Sequence, residues 1–227
     1  MVILFDVDNT LLDNDTVTAD LGAYLTRAAG AESAAEYFRI LEVLRAELGY
    51  ADYLGGLQRY RAEHPRDFPF FGASRFLVEY PFAERLYPQA LAALQHAASI
   101  GTAAILSDGD AVFQPIKIAR SGLEAAVGGR VQIYVHKEVE LATVATRLPA
   151  EHYVMVDDKR RLLEAIKAQW GERVTTVWVR QGHYASAPDV ARYAEPDLAI
   201  ASIGEFLRLS RSSLLAAARA RVDATSS

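Results

Sequence analysis

The chain has 227 residues, a formal net charge of −5 and no cysteine. An acidic chain is poorly suited to general nucleic-acid binding, and the lack of thiols excludes disulfides, cysteine nucleophiles and thiolate metal sites. No apolar run reaches the roughly 18 residues that a membrane span needs, and no basic segment followed by an apolar one precedes the first strand-like run. We therefore expect a cytoplasmic protein that binds neither nucleic acid nor membrane.

Short apolar runs alternate with segments of helical periodicity along most of the chain. The runs predicted to be strands are 2–7, 103–107, 131–135, 153–156, 175–179 and 198–200. Most are continuously apolar, which is typical of strands covered by helices on both faces of a parallel sheet. Segments 88–101 and 160–171 have helical spacing and end in Gly, a common helix stop. The pattern predicts an α/β fold with a doubly wound, Rossmann-like parallel sheet.

One long interval, between the first and second predicted strands, breaks this alternation. Within it, 18–30 and 33–63 have helical spacing, whereas 64–74 is rich in proline and aromatic residues and is predicted to be a loop. An insert that leaves the core directly after its first strand is well placed to cover a site at that strand's end. We expect the loop aromatics Phe68, Phe70 and Phe71 to fill the insert's own core.

These segments divide the chain into two predicted parts. The Rossmann-like catalytic core is expected at 1–15 and 84–227, and an α-helical cap at 16–83.

Polar side chains follow four consecutive predicted strands. They are Asp6 and Asp8 after the first, Ser107 after the second, Lys137 after the third, and Asp157 and Asp158 after the fourth. In a parallel sheet these strand ends lie on one side, where ligands of open α/β sheets bind. Carboxylates held so close must bind a cation or lose their charge, and hard carboxylate oxygens favour Mg²⁺. One such residue is usually a turn or helix cap, but four strand ends together predict a metal-centred site.

The segment FDVDNTLLDND at 5–15 resembles the first motif of the haloacid dehalogenase-like (HAD) hydrolase superfamily, which reads DxDx(T/V) after an apolar strand. LSDG at 106–109, Lys137 and VMVDD at 154–158 are similar to the second, third and fourth motifs, in the family's order. The insert is similar to the helical cap of one subclass. The resemblance covers essentially the whole chain and implies a HAD-type fold and a Mg²⁺-dependent phosphatase.

The resemblance also implies roles for the motif residues. Asp6 is expected to be the nucleophile that forms an aspartyl-phosphate, and Asp8 the general acid and base. Ser107 and Lys137 are expected to bind the phosphoryl oxygens. Thr10 is expected to support the loop after the first strand.

The implied cofactor is Mg²⁺. Its expected ligands are Asp6, the backbone carbonyl of Asp8, and Asp157, with Asp158 close to the ion or acting through water.

Some positions depart from the family pattern. Lys137 is followed by Glu138, where many relatives have Pro, and Lys117 is a rival for the lysine role, although it lies within a predicted helix. After Asp158 the chain continues with basic residues instead of a further acid, which leaves the finer metal coordination open. Asp108 and Asp110 are expected to cap the helix that follows.

Asp8 argues against a true haloacid dehalogenase, because those relatives attack carbon without a metal and lack the second Asp of the first motif. A phosphomutase would use the same aspartyl-phosphate. A receiver-type switch would gather similar groups around Mg²⁺ but lacks a large helical insert, and a binding protein without turnover would not need the intact set. A phosphatase remains the favoured prediction.

A capped crevice implies a small phosphorylated metabolite as the binding partner of a monomer or homodimer. Candidate contacts in the predicted cap, each of which is otherwise an ordinary surface residue, are Arg39, Arg45, Arg59, Tyr60, Arg61, His64 and Arg75.

Overall fold

Six parallel strands form one sheet in the order β3-β2-β1-β4-β5-β6. The computed structural model describes residues 1–66 and 69–225, with side chains through Ala218. The strands are β1 (Val2–Phe5), β2 (Thr102–Asp108), β3 (Val131–Tyr134), β4 (Tyr153–Asp157), β5 (Val174–Val179) and β6 (Leu198–Ile200). All six predicted strands are confirmed with small shifts of their ends, and so is the parallel α/β class.

Helices cover both faces of this sheet. They are α1 (Asn14–Leu48), α2 (Tyr53–Glu63), α3 (Ala73–Glu79), α4 (Ala90–Ile100), α5 (Phe113–Arg120), α6 (Leu123–Ala126), α7 (Leu141–Arg147), α8 (Arg160–Trp170) and α9 (Arg211–Thr225). The predicted helices over 88–101 and 160–171 are confirmed as α4 and α8. Helices α1–α3 lie between β1 and β2, and we call them the helical insert.

The first strand is buried on both faces. Ile3 and Phe5 belong to one apolar cluster, and Val2 and Leu4 belong to the other. Burying an aliphatic or aromatic side chain of this size contributes about 1.5–3 kcal/mol. Because β1 is packed from both sides and paired with a strand on each edge, its carboxyl end is held firmly in the middle of the sheet.

The helical insert is broken by two glycines. Gly30 has φ +87° inside α1 and kinks it, and Gly49 ends α1 with φ +84°, in the left-handed region that favours glycine. A Cβ at Gly49 would also lie 2.1 Å from the ring of His136. The prediction of continuous helical spacing over 33–63 is therefore wrong at residues 49–52.

The insert has an aromatic core of its own. Phe70 is buried and its ring meets those of Tyr37 and Tyr60 edge to face, at centroid distances of 6.2 and 4.9 Å. Phe71 is 75% exposed, so its predicted burial is wrong. Phe68 lies outside the described residues. The division of the chain at 15/16 and 83/84 stays a prediction. In the described part of the chain no helix has the length and apolarity to cross a membrane.

Strand pairing brings the predicted site residues to one edge. Phe5 pairs with Ile105 of β2 on one side and with Val156 of β4 on the other. The residues that follow these three positions are therefore neighbours at the carboxyl edge of the sheet, beneath the start of the insert.

Candidate active site

The floor of the site is a buried cluster of three carboxylates and one lysine: Asp6, Lys137, Asp157 and Asp158. Lys137 Nζ lies 2.6 Å from Asp6 Oδ1 and 2.6 Å from Asp157 Oδ2. Burial disfavours the lysine's charge, but the carboxylates of Asp157 and Asp6 outweigh this and raise the pKa of Lys137. The structure thus brings the first, third and fourth motifs together.

Asp158 adds a third acid to this floor, which holds a single lysine. It is fully buried, and neither Oδ1 nor Oδ2 has a hydrogen-bond partner among the described residues. Burial raises the pKa of the Asp158 carboxyl well above its ordinary range, and the neighbouring Asp157 adds to the effect. A buried acceptor without a donor is costly, and a cation removes that cost.

The donor set fits a hard divalent cation. Asp6, Asp157 and Asp158 can each offer a carboxylate oxygen, and these oxygens lie within 4.8 Å of one another. Buried carboxylate oxygens with room for water are the ligands that Mg²⁺ prefers. The residues present therefore fit the ion that the sequence predicts.

Thr10, in the loop after β1, supports the floor. Its Oγ1 accepts a hydrogen bond from the backbone N–H of Asp158 at 3.1 Å and contacts Asp6 Oδ2 at 3.4 Å. Trp178 of β5 donates from Nε1 to the backbone carbonyl of Asp158 at 2.9 Å. These bonds fix the backbone that presents both acids.

Asp8 is paired with a different lysine from that of the floor. Lys117 Nζ donates to its two oxygens at 2.7 and 2.9 Å, and to Asn14 Oδ1 at 3.0 Å. The side chain of Lys117 is 1% exposed, whereas that of Asp8 is 27% exposed. The Asp8 carboxylate is thus ion-paired at the wall of the cleft, outside the cluster of carboxylates that could share an ion. Its backbone-carbonyl contact to metal stays a prediction.

The two rival lysines have separate partners. Lys137 lies against Asp6, as the sequence predicts, and Lys117 extends from α5 to Asp8. The pairing of Lys117 could not be read from its helical position, because it depends on how α5 packs against the loop after β1.

Ser107 lies at the carboxyl end of β2, where predicted, and is buried. Its Oγ accepts a hydrogen bond from Gln114 Nε2 at 2.9 Å and donates to the Asp108 carbonyl at 3.2 Å. Asp108 accepts from the backbone N–H of Lys137 at 2.8 Å, so it ties β2 to the third motif and does not cap α5 as expected. Asp110 does cap that helix, because its Oδ1 accepts from the N–H of Phe113.

A cleft of about 370 Å³ is lined by residues next to the floor, such as Asp8, Asp108 and Lys159, whereas the four floor residues themselves are not among its lining residues. The helical insert contributes Arg45, Tyr50 and Tyr53 to its lining, and the core contributes Asp8 and Lys117. Sequence analysis missed the two tyrosines, which follow the break at Gly49. Among the seven candidate cap contacts, only Arg45 is found in this lining.

The segment between β5 and β6 forms a further part of the wall through His183, Tyr184 and Tyr193. Lys159, directly after the two acids of the fourth motif, also reaches the cleft, with Nζ 5.0 Å from the ring centroid of Tyr184. Burial works against the charge of Lys159, but Asp158 and Asp6 raise its pKa above the ordinary value. The sequence analysis gave these residues no role.

A Rossmann-like sheet with a helical insert after β1, and with acids and a lysine at its carboxyl edge, defines a hydrolase of the α/β class. The model of the haloacid dehalogenase-like hydrolase family matches residues 1–169. The chain belongs to this family, as its motifs indicate.

Solved structures agree with this assignment. A protein of Burkholderia xenovorans LB400 assigned to the haloacid dehalogenase-like hydrolases is 56% identical, with a TM-score of 0.89 over 92% of this chain and 98% of that one. The L-2-haloacid dehalogenase of Xanthobacter autotrophicus with covalently bound chloropropionic acid is 21% identical, with a TM-score of 0.58 over 92% and 97%. Magnesium-bound YfnB of Bacillus subtilis is 16% identical, with a TM-score of 0.62 over 91% and 96%. The last two similarities concern the fold alone. None of the curated proteins matches the chain.

Proposed function

We propose that the protein is a Mg²⁺-dependent phosphatase that hydrolyses a small phosphate monoester through an aspartyl-phosphate on Asp6. The observation that carries this proposal is the geometry of the floor. Asp6 Oδ1 lies 2.6 Å from Lys137 Nζ, and Asp6, Asp157 and Asp158 each offer a carboxylate oxygen within 4.8 Å of the other two. We place the enzyme in the cytoplasm as a monomer or homodimer, acting on a phosphorylated metabolite.

Asp6 is suited to nucleophilic attack because its buried carboxylate is held in place by Lys137. Its Oδ1 is paired with Lys137, and among the described residues its Oδ2 has only the long contact of 3.4 Å to Thr10. Attack of a carboxylate oxygen on phosphorus gives an acyl-phosphate, which divides one difficult hydrolysis into two easier steps. Lys137 then remains beside the transferred group and offsets its negative charge.

Asp8 is suited to proton transfer at the cleft wall. In the first step it protonates the leaving-group oxygen, and in the second it takes a proton from the water that attacks the acyl-phosphate. Lys117 donates to both oxygens of Asp8 from 2.7 and 2.9 Å and thereby positions the carboxyl group at the cleft wall. Such acid–base help typically contributes about 10²–10⁴ in rate.

Asp6, Asp157 and Asp158 would hold Mg²⁺, which when bound supplies positive charge that lets an anionic phosphoryl group approach an anionic nucleophile. Ser107 lies at the next strand end, where Gln114 orients its hydroxyl. Ser107 and nearby backbone N–H groups would bind the phosphoryl oxygens from the side opposite the carboxylates.

A panel of small phosphate esters, assayed for phosphate release with Mg²⁺ and after chelation, tests this function. We expect turnover with Mg²⁺, its loss on chelation, and none in Asp6→Asn, which keeps the size and shape of the side chain. Unchanged thermal unfolding of Asp6→Asn would assign the loss to chemistry. Equal phosphate release by Asp6→Asn, or none from any ester by the wild type, would contradict the proposal.

Metal-free dehalogenation is the second candidate, and one observation favours it. Lys137 already bridges Asp6 and Asp157 at 2.6 Å each, so part of the floor's charge is neutralised without an ion. The measurement that separates the two is halide release from 2-chloropropionate in the presence of chelator. Because the ion pair of Asp8 with Lys117 has no use in halide displacement, we expect no halide release.

A further inference from the structure

The segment after β5 is docked closely onto the loop after β1. Gly182 has φ +64°, and a Cβ on it would lie 2.5 Å from the Cβ of Asn9. Gln181 donates from Nε2 to the carbonyl of Thr10 at 3.4 Å. Only glycine fits at 182, so the backbone reaches the residues beside Asp8 and places His183 in the cleft.

Asp15 holds His183 in one orientation. Its Oδ2 accepts the backbone N–H of His183 at 2.8 Å, and its Oδ1 lies 2.6 Å from His183 Nδ1. Asn9 Nδ2 donates to the same Oδ1 at 2.9 Å. A carboxylate that accepts this many bonds requires Nδ1 to carry the proton. The 3.4 Å approach of Asn9 Nδ2 to Nδ1 then joins two donors and is only a contact.

The other ring nitrogen, Nε2, is left for a ligand. Across the described residues it has no hydrogen-bond partner, and the side chain is 52% exposed on the cleft that Asp8 and Lys117 also line. The ring of Tyr184 covers one side of the imidazole at a centroid distance of 4.0 Å. With Nδ1 protonated, Nε2 of the neutral ring is an acceptor.

We propose that His183 is a substrate-binding residue whose Nε2 accepts a hydrogen bond from a hydroxyl on the leaving group. The chemical class is a phosphate ester of a hydroxylated alcohol, such as a polyol or sugar, and Asp15 is the positioning residue. This subsite rests on the proposed phosphatase function, because it binds the leaving group of the ester whose bridging oxygen Asp8 protonates.

A matched pair of probes tests the subsite: 2-hydroxyethyl phosphate and ethyl phosphate, assayed at pH 8 with Mg²⁺. The wild type should prefer the hydroxylated ester about tenfold in kcat/KM, the range expected when one hydrogen bond to substrate is made. In His183→Asn the amide can still donate to Asp15 from near the Nδ1 position, but no atom replaces Nε2. The preference should fall to about one, while thermal unfolding stays unchanged.

An unaltered preference in His183→Asn would overturn the assignment. If His183 had only a structural role, the substitution would instead lower kcat/KM for both esters equally or lower the unfolding temperature. The amide of His183→Gln reaches the Nε2 position, so recovery of the preference in that variant would support a direct contact.

A binding experiment keeps this test separate from the phosphatase proposal. Asp6→Asn labelled with ¹⁵N-histidine gives a resonance for His183 Nε2, which the His183→Asn variant identifies among the five histidines. Addition of 2-hydroxyethyl phosphate should shift that resonance more than ethyl phosphate does, whether or not the wild type turns either ester over. Equal shifts, or none, would overturn the subsite.

Discussion

The floor of the site differs from the junction between helical insert and core in how its charged groups are shielded from solvent. We use "junction" for Asp8, Asn14, Lys117 and Tyr53, which are linked by hydrogen bonds. In the floor, Lys137 and Asp157 are both fully buried, and they are paired with each other at 2.6 Å. At the junction, Lys117 is buried, but its partner Asp8 meets the open cleft, and Asn14 continues the hydrogen bonds to Tyr53 of the insert at 3.2 Å. The floor residues are almost entirely shielded from solvent in this structure, whereas the side chain of Asp8 at the junction is 27% exposed.

This difference separates two tasks. Charges that are shielded from solvent interact strongly, and removing one of them leaves its partner as an unpaired buried ion. Strong and fixed interactions of this kind are suited to stabilising a transition state. Groups at a wetter junction can change partners when substrate arrives or when the insert moves, which suits proton transfer and substrate selection. Substitutions on each side of this boundary should therefore differ in magnitude.

The largest effect is expected from Lys137→Met in the floor. Removing the lysine leaves Asp6 and Asp157 buried without their shared cation, and breaking a buried pair in this way costs about 3–5 kcal/mol. We expect that loss in the free energy of urea unfolding, together with a fall in kcat of about 10³-fold or more. Adding Asp157→Asn should restore part of the stability, because it removes one unpaired charge. A stable Lys137→Met variant would mean that water reaches the floor.

Lys117→Met, the corresponding substitution at the junction, should have a smaller effect. Asp8 loses its ion pair but stays in contact with the cleft, so water can replace the ammonium. We expect a loss of about 1–2 kcal/mol in unfolding free energy and a fall of about 10–10² in kcat, with KM little changed. A loss equal to that of Lys137→Met would abolish the distinction between the two regions.

The same boundary separates what the sequence could predict from what it could not. Asp6, Lys137, Asp157 and Asp158 each follow a short apolar run, and parallel strands place such residues at one edge, so the floor could be predicted from one-dimensional pattern and motif order. The six strands could be predicted for the same reason, because burial on both faces leaves a plain apolar signature.

The junction could not be predicted in this way. Lys117 sits in a helix with no local sign of its partner, and the contact with Asp8 depends on the packing of α5. His183 begins a short 3-10 helix between β5 and β6 and contacts Asp15, which is 168 positions away in the chain. Tyr53 reaches the cleft because Gly49 ends α1 and a second helix begins at Tyr53. The helical spacing of apolar residues over 33–63 does not show this break. The positions of Lys117 and His183 depend on contacts between residues far apart in the chain, and such contacts produce no periodic pattern in the sequence.

Tyr53→Phe tests whether the junction links insert and core through one hydroxyl. Tyr53 Oη accepts from Asn14 Nδ2 and lies 2.8 Å from Thr18 Oγ1, whereas its ring packs edge to face on Phe113 at 5.5 Å. The variant keeps the ring contact and loses the polar one, so we expect about 1 kcal/mol less unfolding free energy. A double-mutant cycle with Lys117→Met should give a coupling energy above about 0.5 kcal/mol. Strict additivity would mean that Asn14 does not transmit the contact.

The smallest effect is expected at the far end of the junction, where Asp20 of α1 accepts hydrogen bonds from Tyr80 and from Arg85 at 3.1 Å. The Tyr80 hydrogen bond, followed by that of Arg85, lowers the pKa of the Asp20 carboxyl. A lowered folded-state pKa stabilises the protein at pH values above the unfolded-state pKa, and this contribution disappears as the pH falls through the folded-state value. Because Asp20 is 39% exposed, solvent screening limits the contribution to about 0.5 kcal/mol. Urea unfolding of wild type and Asp20→Asn should therefore differ by about that amount at pH 7, and the difference should begin to shrink as the pH falls below about 4. A difference that did not shrink at all as the pH fell would mean that the asparagine disturbs packing and that Asp20 stabilises the junction by shape and not by charge.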